Sequence, residues 1–146
     1  MESIDDYITE HIDQEPDLLK HIYREAQLKL LHGNMISGHL QGRLLKMFVH
    51  MVRPNKVLEI GTFTGYSAIC MAEALDDEAT LHTIEIDDEM EDLILNNFSQ
   101  SEYGEKIVLH IGDANEVVRQ FENNFFDLVY IDGDKYNSIN RLYSRK

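Results

Sequence analysis

A chain of 146 residues with 43% hydrophobic and 27% charged side chains, carrying a formal charge of -14, reads as one soluble globular domain. It is long enough for a real core but short for a complete doubly wound enzyme. The acidic excess argues against wrapping a nucleic-acid backbone, whose affinity comes mostly from clustered Lys and Arg, and no apolar run is long enough to span a bilayer. The acidic start Met1-Glu2-Ser3-Ile4-Asp5-Asp6 lacks the basic region and apolar core of a secretory signal, so a cytoplasmic location is expected. The single Cys70 falls in the apolar stretch 68–72 and reads as core.

The opening third has a helical pattern. Ser3 offers a cap with Asp6 three residues on, and Ile4, Ile8 and Ile12 follow at helical spacing. Pro16 restarts the chain at a first helical position, and Leu18, Leu19, Ile22, Tyr23, Ala26 and Leu30 make one apolar face up to Gly33. Ser37 is placed to cap a third helix, whose Leu40, Leu44, Leu45, Phe48, Val49 and Val52 continue the stripe until Pro54.

From Lys56 the pattern changes to strands alternating with helices. Strands are predicted over 57–60, 80–86, 107–111 and 126–131, with helices over about 65–75, from the acidic cluster at Asp87 to about 98, and over 115–121. This alternation predicts an α/β fold with a parallel sheet and helices on both faces. No repeat or long linker interrupts it. The expected organisation is a single domain over 1–146, with N-terminal helices over 1–53, a cofactor-binding βαβ half over 54–135 and an irregular tail over 136–146.

Ligands of open parallel sheets sit beyond the carboxyl ends of the strands. Each predicted strand here ends beside an acid: Glu59, Glu85, Asp113 and Asp132. Gly61 and Gly65, flanking Thr62-Phe63-Thr64, let the backbone turn sharply and a ligand lie against it, although an ordinary strand-to-helix turn would use the same residues. The spacing is not the G-x-G-x-x-G of a nicotinamide cradle, and Walker, H-E-x-x-H and paired C-x-x-C elements are absent. Glu85 is placed to accept from both hydroxyls of a ribose, the plain alternative being a solvated strand-end acid. Asp113 after Gly112 is open between accepting from an adenine amino group and turn chemistry. Glu59 is placed to face a cationic group, without which a buried carboxylate is costly. His11, His21, His32, His50, His82 and His110 read as surface or packing residues, and His39 alone lies near the candidate site.

Leu58-Glu59-Ile60-Gly61-Thr62-Phe63-Thr64-Gly65-Tyr66-Ser67-Ala68, followed by Thr83-Ile84-Glu85-Ile86-Asp87, Gly112-Asp113-Ala114 and Ile131-Asp132-Gly133-Asp134-Lys135, resembles the cation-dependent class of small-molecule O-methyltransferases. That family contains the catechol and caffeoyl-coenzyme A enzymes. The segment from Met35 to Gly42 also resembles its cofactor-covering segment, with His39 where many relatives have proline. The resemblance implies a Rossmann-like fold that binds S-adenosylmethionine. It implies contacts from Ser37, Glu59, Gly61, Ser67, Glu85, Ile86, Asp113 and Ala114, with Glu85 on the ribose and Asp113-Ala114 near the adenine. Thr62, Gly65 and Gly112 belong to the same binding segments. Met35 matches a residue near the transferred methyl, Asp132 a ligand for magnesium or another divalent cation beside the cofactor, Asp134 a residue approaching the methionine portion, and Lys135 the general base. In that chemistry a cation chelated by two vicinal oxygens lowers a phenol's pKa, and Lys135 takes the proton before in-line attack on the methyl. A small catechol-like or phenolic hydroxyl acceptor and a homodimer are further implications.

Relatives continue past the segment matching Asp132-Gly133-Asp134-Lys135 with a helix, a fifth strand bearing an Asp-Asn pair, and a strand pair that closes the sheet. The sheet is therefore expected to lack its C-terminal strands, on the order of 60–80 residues. That leaves Asp132 a lone, weak ligand and strand four with an open apolar edge. Two functions stand against each other: O-methyl transfer, and a truncated non-catalytic fragment that binds cofactor or serves as an interaction module. An oxidoreductase-type nucleotide domain is a third, against which the turn spacing counts.

Overall fold

The computed structural model describes residues 3–133. In the first helix, α1 (Ile4–His11), Ser3 Oγ accepts from Asp6 N at 3.1 Å and Asp6 Oδ2 accepts from Ser3 N at 3.2 Å, the reciprocal cap its sequence encodes. In α2 (Asp17–Lys29) the expected face is in part realised, with Leu19, Ile22 and Ala26 buried and Tyr23 exposed. Pro16 is the N-cap rather than the first helical residue, and the helix stops four residues before Gly33, which opens a short 3-10 turn instead.

Ser37 does not cap the third helix. The cap of α3 (His39–Val52) is Gly38, and Ser37 is buried. The extended backbone of Gly38 starts the helix without a side-chain bond, which leaves the Ser37 hydroxyl to serve elsewhere. Only part of the predicted stripe on α3 is core: Leu45 and Val49 are buried, whereas Leu40, Leu44, Phe48 and Val52 stay between 41% and 51% exposed. The buried side packs on α4 (Tyr66–Ala72), where a Cβ on Gly42 would lie 2.6 Å from Cys70 Sγ. Cys70 is accordingly inaccessible core, its thiol pushed up to about 12 chiefly by burial. Arg43 and Lys46 of α3 clamp Glu73 at 3.0 and 2.9 Å.

The strands β1 (Lys56–Ile60), β2 (Thr80–Glu85), β3 (Ile107–Ile111) and β4 (Leu128–Ile131) form one parallel sheet in the order β3-β2-β1-β4. The helices α5 (Glu91–Ser99) and α6 (Ala114–Val117) complete the crossovers. β4 starts two residues later than predicted. Asp127 Oδ2 instead accepts from the amides of Asn55 and Lys56 at 2.8 and 2.9 Å, joining the start of β1 to the approach of β4.

Side chains alternate between the two faces of the sheet. Val57, Leu81 and Ile107 enter the large core with the N-terminal helices, α4 and α5, while Leu58 and Ile84 meet Val117, Phe121 and Phe126 on the other face. Both faces carry helix, as expected, but the second is covered only by the short α6 and the turn after it among the described residues. Val129 and Ile131 of β4 share that face and remain 49% and 45% exposed, and the outer edge of β4 pairs with no described strand.

On the second face the sheet register brings together two histidines that the sequence leaves separate. His82 Nδ1 lies 2.9 Å from His110 Nε2, and edges of Phe121, Phe125 and Phe126 surround the His82 ring. Burial holds both imidazoles below their usual pKa, and in His82 the neighbouring His110 and Lys56 add to the effect. The folded chain thus favours neutral rings, so this contribution to stability is complete above the unfolded value of 6.5 and is lost progressively as pH falls from there through the lowered folded values. Urea unfolding at pH 7.5 and 5.5 is expected to show a smaller acid-side loss in His110→Gln than in the parent chain. An unchanged difference would remove the pair from the account.

Candidate functional site

The site begins where β1 ends. Gly61 (φ +100°), Phe63 (φ +52°) and Gly65 (φ +82°) take left-handed conformations, and together they turn the chain from the strand into α4. At Gly61 a Cβ would lie 2.9 Å from the Asp132 carbonyl oxygen, so the end of β4 passes directly beside the turn. At Gly65 it would lie 2.4 Å from Phe98 Cε1, because α5 closes the turn from beneath. Asn97 of α5 adds a bond from Nδ2 to the Thr64 carbonyl at 2.9 Å.

Two glutamates anchor this turn. Glu85 Oε2 accepts from Phe63 N at 2.7 Å, and Glu85 Oε1 accepts from Ile86 N and Asp87 N at 2.9 and 3.0 Å. Phe63, the one non-glycine of the turn in a left-handed conformation, is held by that charge-assisted bond. Glu59 is wholly buried beneath the turn, where Oε1 accepts from Ser67 Oγ at 2.5 Å and Oε2 from Thr83 Oγ1 at 2.6 Å. Burial raises its pKa to about 7; the two hydroxyls oppose the shift, and the charges of Asp132 and Glu85 add to it.

Above the turn lies a cavity of about 530 Å³ at the carboxyl ends of the strands, within the size range of small-molecule sites. Its walls come from four places. Met35 and Ser37 enter before α3; Gly61 and Thr62 come from the turn and Ser67 from the start of α4; Glu85 ends β2 and Ile86 follows it; Gly112, Asp113, Ala114 and Asp132 follow β3 and β4. Those eleven predicted residues come together. Glu59 and Gly65 do not line the cavity: Glu59 lies behind the wall and Gly65 shapes the turn against Phe98. Asp134 and Lys135 lie outside the described residues. His39 does not line the cavity either.

Two placements refine the expectations. Asp113 performs the turn chemistry, its Oδ1 accepting from Asn115 N at 2.8 Å and Asn115 Nδ2 at 2.9 Å, while it also faces the cavity. Glu85 is no solvated acid, and its three amide bonds take most of the roughly four acceptor positions of a carboxylate. A bidentate grip on two ribose hydroxyls therefore competes with the turn's own amides.

Sequence reasoning missed Ile36, Ile60, Phe63, Thr64, Tyr66, Ile84, Asn115 and Gly133, which also line the cavity. Thr64 carries a signal that the sequence hides. Its Oγ1 is buried and makes no hydrogen bond among the described residues. Among the described residues no three His, Cys, Asp or Glu side chains cluster as ligands for a metal ion. No helix among them is long and apolar enough to cross a membrane.

A family profile described as O-methyltransferase matches residues 9–146, so the chain belongs to the O-methyltransferase family. It is similar to caffeoyl-CoA O-methyltransferase 2 of Zea mays, 30% identical over 132 residues that cover 87% of this chain and 50% of that protein. It is 35% identical over 118 residues to catechol O-methyltransferase domain-containing protein 1 of Mus musculus, covering 78% of this chain and 45% of the other. Among solved structures, the O-methyltransferase TomG from Streptomyces achromogenes, determined in complex with SAM, superposes with a TM-score of 0.82 at 25% identity, covering 90% of this chain and 60% of TomG. The chain spans roughly half the length of the curated relatives it matches.

Gly61→Ala tests how far the turn depends on its backbone. The variant combines an unfavourable φ with a clash against the end of β4, and a loss of about 2 kcal/mol is expected in denaturant unfolding. A loss within about 0.5 kcal/mol would mean that the turn relaxes freely.

Proposed function

We propose that this chain supplies the cofactor half of an S-adenosylmethionine-dependent O-methyltransferase that acts on a hydroxyl of a small catechol-like or phenolic acceptor. The observation that carries the reading is the cavity beyond the strand ends, where a glycine-flanked turn pinned by Glu85 meets the polar ends of three further strands. Similarity to TomG, determined with SAM, supports the ligand, and similarity to the maize caffeoyl-CoA O-methyltransferase 2 and to the mouse catechol O-methyltransferase domain-containing protein 1 supports the acceptor class.

S-adenosylmethionine, when bound, supplies an electrophilic methyl on a positively charged sulfur. The chain's own residues bind and orient it. Glu85 offers its remaining acceptor capacity to a ribose hydroxyl and holds the turn amides in place. Ile86, 73% exposed at the cavity rim, gives an apolar surface beside Asp113 and Ala114 on which a purine can rest. The Thr64 hydroxyl gains the partner it lacks. Orientation of this kind supplies much of the rate of a displacement reaction. Lys135 as proton acceptor and Asp134 as a methionine contact rest on the family resemblance, since both lie outside the described residues. Metal assistance rests on the family resemblance alone, with Asp132 as the residue that would hold a cation, since no three His, Cys, Asp or Glu side chains cluster among the described residues.

Isothermal titration of the folded chain with S-adenosylmethionine is expected to give saturable binding. Glu85→Ala should weaken it about 10- to 100-fold, by removing a charged acceptor together with the anchor of the turn. Catechol methylation with radiolabelled cofactor then separates turnover from binding. Binding without turnover would favour the fragment reading, which the outer edge of β4, paired with no described strand, supports. A folded chain that does not bind would overturn the proposal.

A further inference from the structure

Two hydroxyls of the cavity wall lead to the same buried carboxylate by different routes. Ser67 Oγ donates directly to Glu59 Oε1 at 2.5 Å. Thr62 Oγ1 lies 2.6 Å from Thr83 Oγ1, which in turn donates to Glu59 Oε2 at 2.6 Å. Glu59 on β1 and Thr83 on β2 are both wholly buried, and neither lines the cavity.

The directions of these bonds follow from counting protons. A hydroxyl has one proton to donate, and an ionised carboxylate has none. With Glu59 ionised, as it is at pH 8, the Ser67 proton is committed to Oε1 and the Thr83 proton to Oε2, so in the contact between the two threonines Thr62 is the donor. Both cavity hydroxyls therefore present only lone pairs to a ligand.

We infer that Thr83 is a positioning residue that transmits the charge of Glu59 to Thr62 and, with Ser67, makes this wall an acceptor-only surface selective for a positively charged group. A phosphate or a ligand carboxylate finds no donor in these two side chains. An ammonium or a sulfonium meets two lone-pair dipoles backed by a buried negative charge. The inference rests on the cofactor reading only in naming the ligand, because S-adenosylmethionine carries both cationic groups.

The relay is tested by calorimetry at pH 8 with two probes. These are S-adenosylmethionine and 5′-methylthioadenosine, the same nucleoside without the amino-acid portion or the charged sulfur. Thr83→Val removes the relay and frees the Thr62 proton to point at the ligand, whereas Thr83→Ser keeps the hydroxyl. Thr83→Val is expected to lose about tenfold in affinity for S-adenosylmethionine and to keep its affinity for methylthioadenosine, with Thr83→Ser restoring the difference. Circular dichroism and a thermal melt establish folding first. If Thr83→Val does not fold, Glu59→Gln makes the same test, since an amide must donate to one of the hydroxyls it replaces as acceptor. An equal loss for both probes, or a loss that serine does not rescue, overturns the relay while leaving the cofactor reading in place. Failure of the parent chain to bind either probe overturns both.

Discussion

A wholly buried carboxylate, Glu59, lies beneath the glycine turn, and the ends of two strands and the start of a helix are arranged about it. Burying the charge of Glu59 without partners would cost several kcal/mol, and the two hydroxyl bonds from Ser67 and Thr83 offset that cost by tying β1 to α4 and to β2. Glu85 repeats the arrangement on the next strand with three backbone amides in place of hydroxyls. The two acids thus hold the turn from below and from the side. Burial raises the Glu59 pKa, the charges of Asp132 and Glu85 add to it, and the negative crevice these acids make favours a cationic ligand over an anionic one.

Around that point the molecule is lopsided. The face carrying Val57, Leu81 and Ile107 is packed deeply under the N-terminal helices, α4 and α5. The face carrying Leu58 and Ile84 has a thin cover, extended by the aromatic group around His82. Val129 and Ile131 on β4, with Leu40, Leu44 and Phe48 along α3, leave apolar side chains half exposed beside the edge that pairs with no described strand or on the helix that Gln41 joins to Tyr130 of that strand. A row of this kind on one helix is more than the scattered apolar residues of an ordinary surface.

Much of this was legible in the sequence, because the strand and helix periods are local. The alternation after Lys56, the reciprocal cap at Ser3 and the polar strand ends each require only neighbouring residues, and eleven of the predicted site residues meet in one cavity. What the sequence hides is set by partners far along the chain. Ser37 looks like a cap because nothing local reveals a cavity on its other side. Asp127 looks like part of a strand because its amide partners are more than seventy residues away. Glu59 looks like a ligand contact until the pleat places its side chain behind the wall, where Thr83, an unremarked strand residue, becomes its neighbour. The outer stripe of α3 reads as core because amphipathic spacing reports an apolar face and not what covers it.

The central claim is that one buried carboxylate organises the turn, and a carbon-detected NMR titration of the glutamate side chains tests it most directly. One carboxyl, assigned by its disappearance in Glu59→Gln, is expected to titrate at about 7, well apart from the surface acids. A Glu59 carboxyl that titrates in the ordinary range would show it to be hydrated, and would contradict the arrangement of Ser67, Thr83 and the turn described here.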